Sequence, residues 1–272
     1  SHSQSLASLC HRFAAFSDTV RLCKQWLSSS LLSSSIPPEA IELTVAHTFI
    51  SPLPYSPPST PFVGLMRFLT LLTTHSWSSS PLIVDLNFES EPLSDDAFSE
   101  CVNLCTTLSA SSRPPLLICT STDMQGMRWT RDSPSPVVWK RAVSLASASL
   151  SSLRKSIVDG REKRIRRVMG RDLSDYDVLI HLNTGVALNK ACPFLASSSF
   201  KNARKHPSKE LLVGFDPVAK YVGELRGRYG KHAAFFYDEC LPDVVGVVWV
   251  PSPSLGGHVS VKDATSAYPL CL

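Results

Sequence analysis

Apolar residues recur every three or four positions through the first half of the chain. Phe13, Phe16, Val20, Cys23, Leu27 and Leu31 fall on one stripe and predict a long helix. The serine-rich residues 28–35 and Pro37-Pro38 end it, and Pro38 suits the first turn of a second helix carrying Ile41, Val45 and Phe49. Five prolines in residues 51–61 make a loop. Leu65, Phe68, Leu69 and Leu72 predict a third helix. Ser94 caps a fourth, with Ala97, Phe98, Cys101, Leu104 and Leu108 on its buried side. Ser135-Pro136 opens a fifth, which carries Val138, Ala142, Leu145, Leu153 and Ile157 and ends near Gly160. Residues 82–84 and 116–119 are short apolar runs, either strands or buried extended segments.

The pattern then changes. Residues 176–182 and 211–215 are rich in β-formers and predict strands. Asp216-Pro217 is a cap followed by proline at the first helical position. The helix runs through Val218, Tyr221, Val222 and Leu225 to Gly227 or Gly230. Residues 233–237 and 244–250 predict two more strands across the loop 238–243. The expected class is α+β: a helical module followed by a small α+β domain. A chain of 272 residues fits about two domains.

Charge sharpens that division. Residues 1–153 carry 9 Lys+Arg against 11 Asp+Glu, and residues 154–272 carry 18 against 12. The sign changes at a basic run that begins at Arg154-Lys155 and ends at Arg171, a candidate domain boundary. Charged residues make up only 18%, and 42 serines supply much of the polar surface instead. The longest apolar stretch has seven residues, too short for a membrane span, so no membrane contact is expected. Residues 1–9 are too polar for a signal peptide and no initiating Met is present, so the chain reads as a piece of something longer. The eight cysteines contain no CxxC pair, and most sit in apolar segments; free buried thiols are expected.

Candidate chemistry is sparse. Asp175 and Asp177 precede a strand, where paired carboxylates can hold Mg²⁺ for nucleotidyl transfer, and Asp216 could supply a third. The Gly-Ser turn that chemistry needs upstream is replaced by Met169-Gly170-Arg171. Solvated carboxylates at a strand entrance are the plainer reading. Gly227 and Gly230 resemble a GxxG backbone clamp, but the motif is short and weak, and a glycine stop after the helix is the plainer reading. No GxxxxGK, GxGxxG, GxSxG or HExxH occurs. Cys101 and Cys105, one helical turn apart, read as core, as do His47 and His181. No cofactor, metal site or catalytic residue is expected.

The basic run carries most of the functional signal. If it is helical, Lys163, Arg166 and Arg167 share a face and Arg171 extends it by a turn. Such a face can neutralise RNA phosphates; a solvated surface or docking to acidic protein is the alternative. The candidate RNA-binding residues are Arg161, Lys163, Arg164, Arg166, Arg167 and Arg171, with Lys201, Arg204 and Lys205 as a second cluster.

Several phrases spread in order along nearly the whole chain resemble the nucleolar RNA-associated protein (Nrap) family. They are FSDTVRLCKQWL (16–27), AIELTVAH (40–47), PLIVDLN (81–87), PSPVVWKR (134–141), YDVLIHL (176–182), FDPVAKYV (215–222) and HAAFFYD (232–238), which leads to GVVW (246–249). The resemblance is to the C-terminal third of that family's longer protein. It implies a helical module like those of poly(A) polymerase and oligoadenylate synthetase over residues 1–158, then the family's last α+β domain over 159–272, in agreement with the charge boundary. It also implies lost catalysis and a non-enzymatic scaffold role in the small-subunit processome, the nucleolar pre-ribosome that processes rRNA. Partners would be processome proteins and pre-rRNA or small nucleolar RNA. The rival reading is an accessory domain of an active RNA nucleotidyltransferase, with Asp175 and Asp177 on Mg²⁺; a third is a protein-docking module without RNA contact.

Overall fold

The computed structural model describes residues 2–87, 93–108, 113–132, 134–160, 162–183 and 216–250, and of residues 162–164 the backbone alone. The expected strand at 211–215 lies outside them. In chain order the elements are α1 (His2–Arg12), α2 (Phe16–Ser29), α3 (Pro38–Ile50), α4 (Pro61–Thr74), β1 (Leu82–Val84), α5 (Asp95–Thr107), β2 (Ile118–Thr120) and α6 (Pro136–Asp159). Then follow α7 (Glu162–Met169), β3 (Val178–His181), α8 (Pro217–Tyr229), β4 (Ala233–Tyr237) and β5 (Val244–Trp249). The class is the expected α+β, with helix α1 added where no periodicity announced it.

The helix boundaries obey local chemistry. Thr60, Ser94 and Ser135 each cap a helix, their side chains accepting from the backbone N–H of Val63, Ala97 and Val138. Asp216 accepts from the N–H groups of Val218 and Ala219 at 2.9 and 3.0 Å. Gly160 ends α6 with φ +65°, a left-handed turn that side chains resist and that reverses the chain into α7.

Helices α2, α3, α4 and α6 bury one aromatic core. Phe16 meets Phe49 edge-on at 5.4 Å, Trp26 meets Phe68 at 6.2 Å, and Trp77 meets Trp139 at 5.0 Å. The Trp26 indole N–H donates to Ser149 Oγ at 3.0 Å. Two side chains expected inside are outside: Phe98 on α5 and Ile157 on α6 are half exposed. In α5 the buried stripe is Cys101 and Cys105 instead, packed with Leu117 just before β2 and Cys119 within it. The described cysteines are all free, and Cys10 and Cys240 are exposed rather than buried.

The short apolar runs are strands. β1 and β2 pair in parallel, Leu82 opposite Ile118, with α5 in the crossover. His47 ties α3 to this pair through Nδ1 and the Ile83 carbonyl at 3.1 Å. His181, expected inside, is exposed on β3.

The second sheet has order β3-β5-β4, antiparallel throughout. Its period of two sorts the side chains to two buried faces. Phe235, Tyr237, Val245 and Val247 pack under Val218 and Val222 of α8. Leu179, Ala234, Phe236 and Val248 face the other way and join the helical core. Gly246 lies on β5 opposite both Leu179 and Phe236. A Cβ there would collide with the Tyr176 ring, so the ring covers the space that glycine leaves.

Two outcomes follow from these contacts. Gly246→Val drives a side chain into the Tyr176 ring, and thermal unfolding should show a loss of about 1–3 kcal/mol; an unchanged midpoint would mean that the ring moves freely. Burial lowers the His47 pKa below the ordinary histidine value; His75 adds to the shift and the Ile83 carbonyl opposes it. A depressed folded pKa means the folded state binds fewer protons, so the contribution is full above about pH 6.5 and is lost as pH falls. Stability against urea should therefore fall from about pH 7 to pH 5, and His47→Gln should flatten that slope.

Candidate nucleic-acid interface

Helix α7 lays Ile165, Val168 and Met169 on the helical core and turns Arg166 and Arg167 to solvent. The last turns of α6 add exposed Arg154 and Lys155 beside exposed Val158. The α6–α7 hairpin thus carries a basic ridge on a rigid base. Lys163 and Arg164 lie on α7 by backbone position. Arg161, Lys201, Arg204 and Lys205 lie outside the described residues.

Arg171 does not extend that ridge. The helix ends at Met169, and the Arg171 guanidinium turns inward to the loop between β4 and β5. It donates to Asp243 Oδ1, to Asp238 Oδ2 at 3.4 Å and to the Leu241 carbonyl at 3.4 Å. A guanidinium spent on two carboxylates and a carbonyl has little left for a phosphate.

Asp238 is itself buried, 1% exposed. Ser28 and Ser33 donate their hydroxyls to it, each at 2.7 Å, across the boundary from the helical half. The backbone N–H groups of Cys240 and Leu241 donate from its own loop, both at 3.2 Å. Nearby, the Tyr176 hydroxyl donates to the Ser30 carbonyl at 2.9 Å, and the Arg141 guanidinium lies 4.5 Å from the Tyr176 ring centre. None of Ser28, Ser33, Arg141, Tyr176 or Asp238 stood out in the sequence as a site. The nearest signal was the end of the HAAFFYD phrase, an acid directly after a buried strand.

A cleft of about 190 Å³ opens at this junction, between Ser29, Ser149, Ser152, Arg141, Arg167 and Tyr176. Asp172 and Asp175 also line it, so its charge is mixed. The other carboxylates weighed as metal ligands have structural partners: Asp177 accepts from the Trp249 N–H at 2.8 Å, and Asp216 caps α8. Among the described residues no three His, Cys, Asp or Glu side chains gather as a metal site. Gly227 lies inside α8 and Gly230 ends it, its N–H bonding the Arg226 carbonyl at 2.9 Å.

Two family profiles cover the chain: "Nrap protein PAP/OAS1-like domain 5" matches residues 13–170 and "Nrap protein domain 6" matches residues 173–270. The chain belongs to the Nrap family. It is 38% identical to Nucleolar protein 6 of Xenopus tropicalis over 264 residues, which is 92% of this chain and 23% of the relative. Against the human Nucleolar protein 6 it is 34% identical, over 91% of this chain and 22% of the relative. The Drosophila melanogaster protein is 32% identical over 92% and 21%. The chain therefore spans under a quarter of the length of these relatives, and it matches their C-terminal part. These relatives place the chain in the nucleolus.

The two profiles meet at residues 170 and 173, and between them stand Arg171 and Asp172. The Nrap domain 5 region thus includes the basic helix α7. The boundary expected at 158/159 falls one helix earlier, in the last turn of α6.

Because Asp238 joins both domains, its loss should be felt by both. Asp238→Ala leaves Ser28, Ser33 and part of Arg171 without an acceptor, and should cost about 3–5 kcal/mol. Urea unfolding read by tryptophan fluorescence and far-UV circular dichroism checks this; a wild-type midpoint would show that the buried carboxylate adds no stability.

Proposed function

We propose that the chain is a non-catalytic scaffold segment of an assembly factor of the small-subunit processome, acting in rRNA processing, and that the α6–α7 hairpin is its RNA-facing ridge. One observation carries the RNA reading: the arginines of the basic run divide. Arg171 is consumed inside the fold, while Arg166 and Arg167 stand in solvent, and among the described residues neither forms a salt bridge. A cation held on a packed helix meets a phosphate without first ordering a loop, and each phosphate met releases counterions. Arg161, Lys163 and Arg164 belong to the same segment; Lys201, Arg204 and Lys205 form the second candidate cluster. The partners would be pre-rRNA or small nucleolar RNA together with processome proteins. The scaffold half of the reading is supported by the carboxylates, since Asp177 and Asp216 hold backbone amides rather than converging. The printed name of the relatives, nucleolar protein, fits the same setting.

Exposed Ile157 and Val158 on the same hairpin favour protein docking as a second reading. RNA binding separates the two. Fluorescence anisotropy of a labelled single-stranded RNA, titrated across salt, should show Arg166→Glu/Arg167→Glu binding about tenfold or more weakly. The slope of log K against log salt should also be shallower by about 1.4, two contacts at roughly 0.7 each. Equal affinity and equal slope in the variant would remove the RNA ridge and leave the docking reading.

A further inference from the structure

Serine or threonine precedes proline at five described positions: Ser51, Ser56, Thr60, Ser80 and Ser135. Four of them are committed to secondary structure. Ser51 closes α3 with its N–H on the His47 carbonyl. The hydroxyls of Thr60 and Ser135 cap α4 and α6. Ser80 is bracketed by the Ser76 carbonyl and the His75 ring and runs straight into β1.

Ser56 differs from all four. It lies in the proline-rich loop between α3 and α4, with neither helix nor strand on either side. Tyr55, Ser56 and Pro57 are exposed, while Pro58 is buried and anchors the loop. Pro57 restricts Ser56 to extended backbone and offers no N–H of its own. Arg67 of α4 donates Nη1 to the Ser56 carbonyl, and its guanidinium carbon lies 5.1 Å from the Tyr55 ring centre. A planar, permanently charged donor therefore stands beside the one Ser-Pro pair that, among the described residues, is presented as an extended, accessible segment.

We infer that Ser56 is a phosphorylation site for a proline-directed serine/threonine protein kinase, with Arg67 as the phosphate's partner within the fold. Ser56 Oγ attacks the γ-phosphorus of ATP and a new O–P bond forms. The bond from that phosphorus to the bridging oxygen breaks and ADP leaves; the hydroxyl proton passes to the kinase's base. The product carries about −1.5 to −2 charge and three acceptor oxygens. Within reach of the Arg67 fork, it turns a loop tip that displays Leu53 and Tyr55 into an anionic latch on α4.

The full chain is incubated with a cyclin-dependent kinase and ATP, and the phosphate is mapped by mass spectrometry. The phosphate is expected on Ser56 and lost in Ser56→Ala. Titration of the product by ³¹P NMR should place the second phosphate pKa about half a unit to one unit below that of the urea-unfolded chain, and Arg67→Gln should erase the difference. Circular dichroism confirms that both variants fold. Phosphate found only elsewhere overturns the site. Equal titration midpoints in the presence and absence of Arg67 overturn the latch.

Discussion

The carboxylate of Asp238 is the point where the architecture is decided. Removing a charged carboxylate from water costs several kcal/mol unless its lone pairs are used and its charge is answered. Here two serine hydroxyls come from the end of α2 and the turn after it, two amides from the β4–β5 loop, and a guanidinium from the connector after α7. The donors span residues 28 to 241, so three distant parts of the chain must arrive together for the site to be satisfied. None of these parts can shift alone without stranding a buried charge.

Apolar packing reinforces the same junction. Tyr176 fills the space over Gly246, lies tilted against the Phe236 ring at 5.9 Å, and donates to the Ser30 carbonyl of the helical domain. Through Tyr176 and Phe236, one face of the second sheet joins the helical core. Domains joined by small polar interfaces move relative to one another by default. A shared core with a satisfied buried charge inside it opposes that motion. The two domains therefore form one body.

Much of this was legible in the sequence because the signals were local. Ser94, Ser135-Pro136 and Asp216-Pro217 mark helix starts through capping chemistry that needs no tertiary context. The strands at 233–237 and 244–249 and their connecting loop were likewise evident from period and composition. The errors share one cause, which is that periodicity shows a stripe but not the neighbour that covers it. Phe98 belongs to the expected stripe of α5, yet the helix buries Cys101 and Cys105 against β2 instead. Ile157 continues the stripe of α6 past the point where packing partners run out. The serine run at 28–35 reads as a helix terminator, and it is one; that its hydroxyls also hold a carboxylate two hundred residues away depends on the fold alone.

Arg171 shows the same limit for charge. From spacing alone it continues the Lys163–Arg166–Arg167 face, because an unbroken helix would bring it round by one more turn. The helix stops at Met169, and once the backbone leaves it, spacing no longer predicts direction. The competition is then decided by desolvation: a buried carboxylate draws the nearest cation more strongly than solvent keeps it. Asp238 and Asp243 thus remove one positive charge from the surface and fix the connector from which α7 projects. The arginines left outside are those on a helix whose other side is packed, so their charge is displayed from a base that the core already fixes.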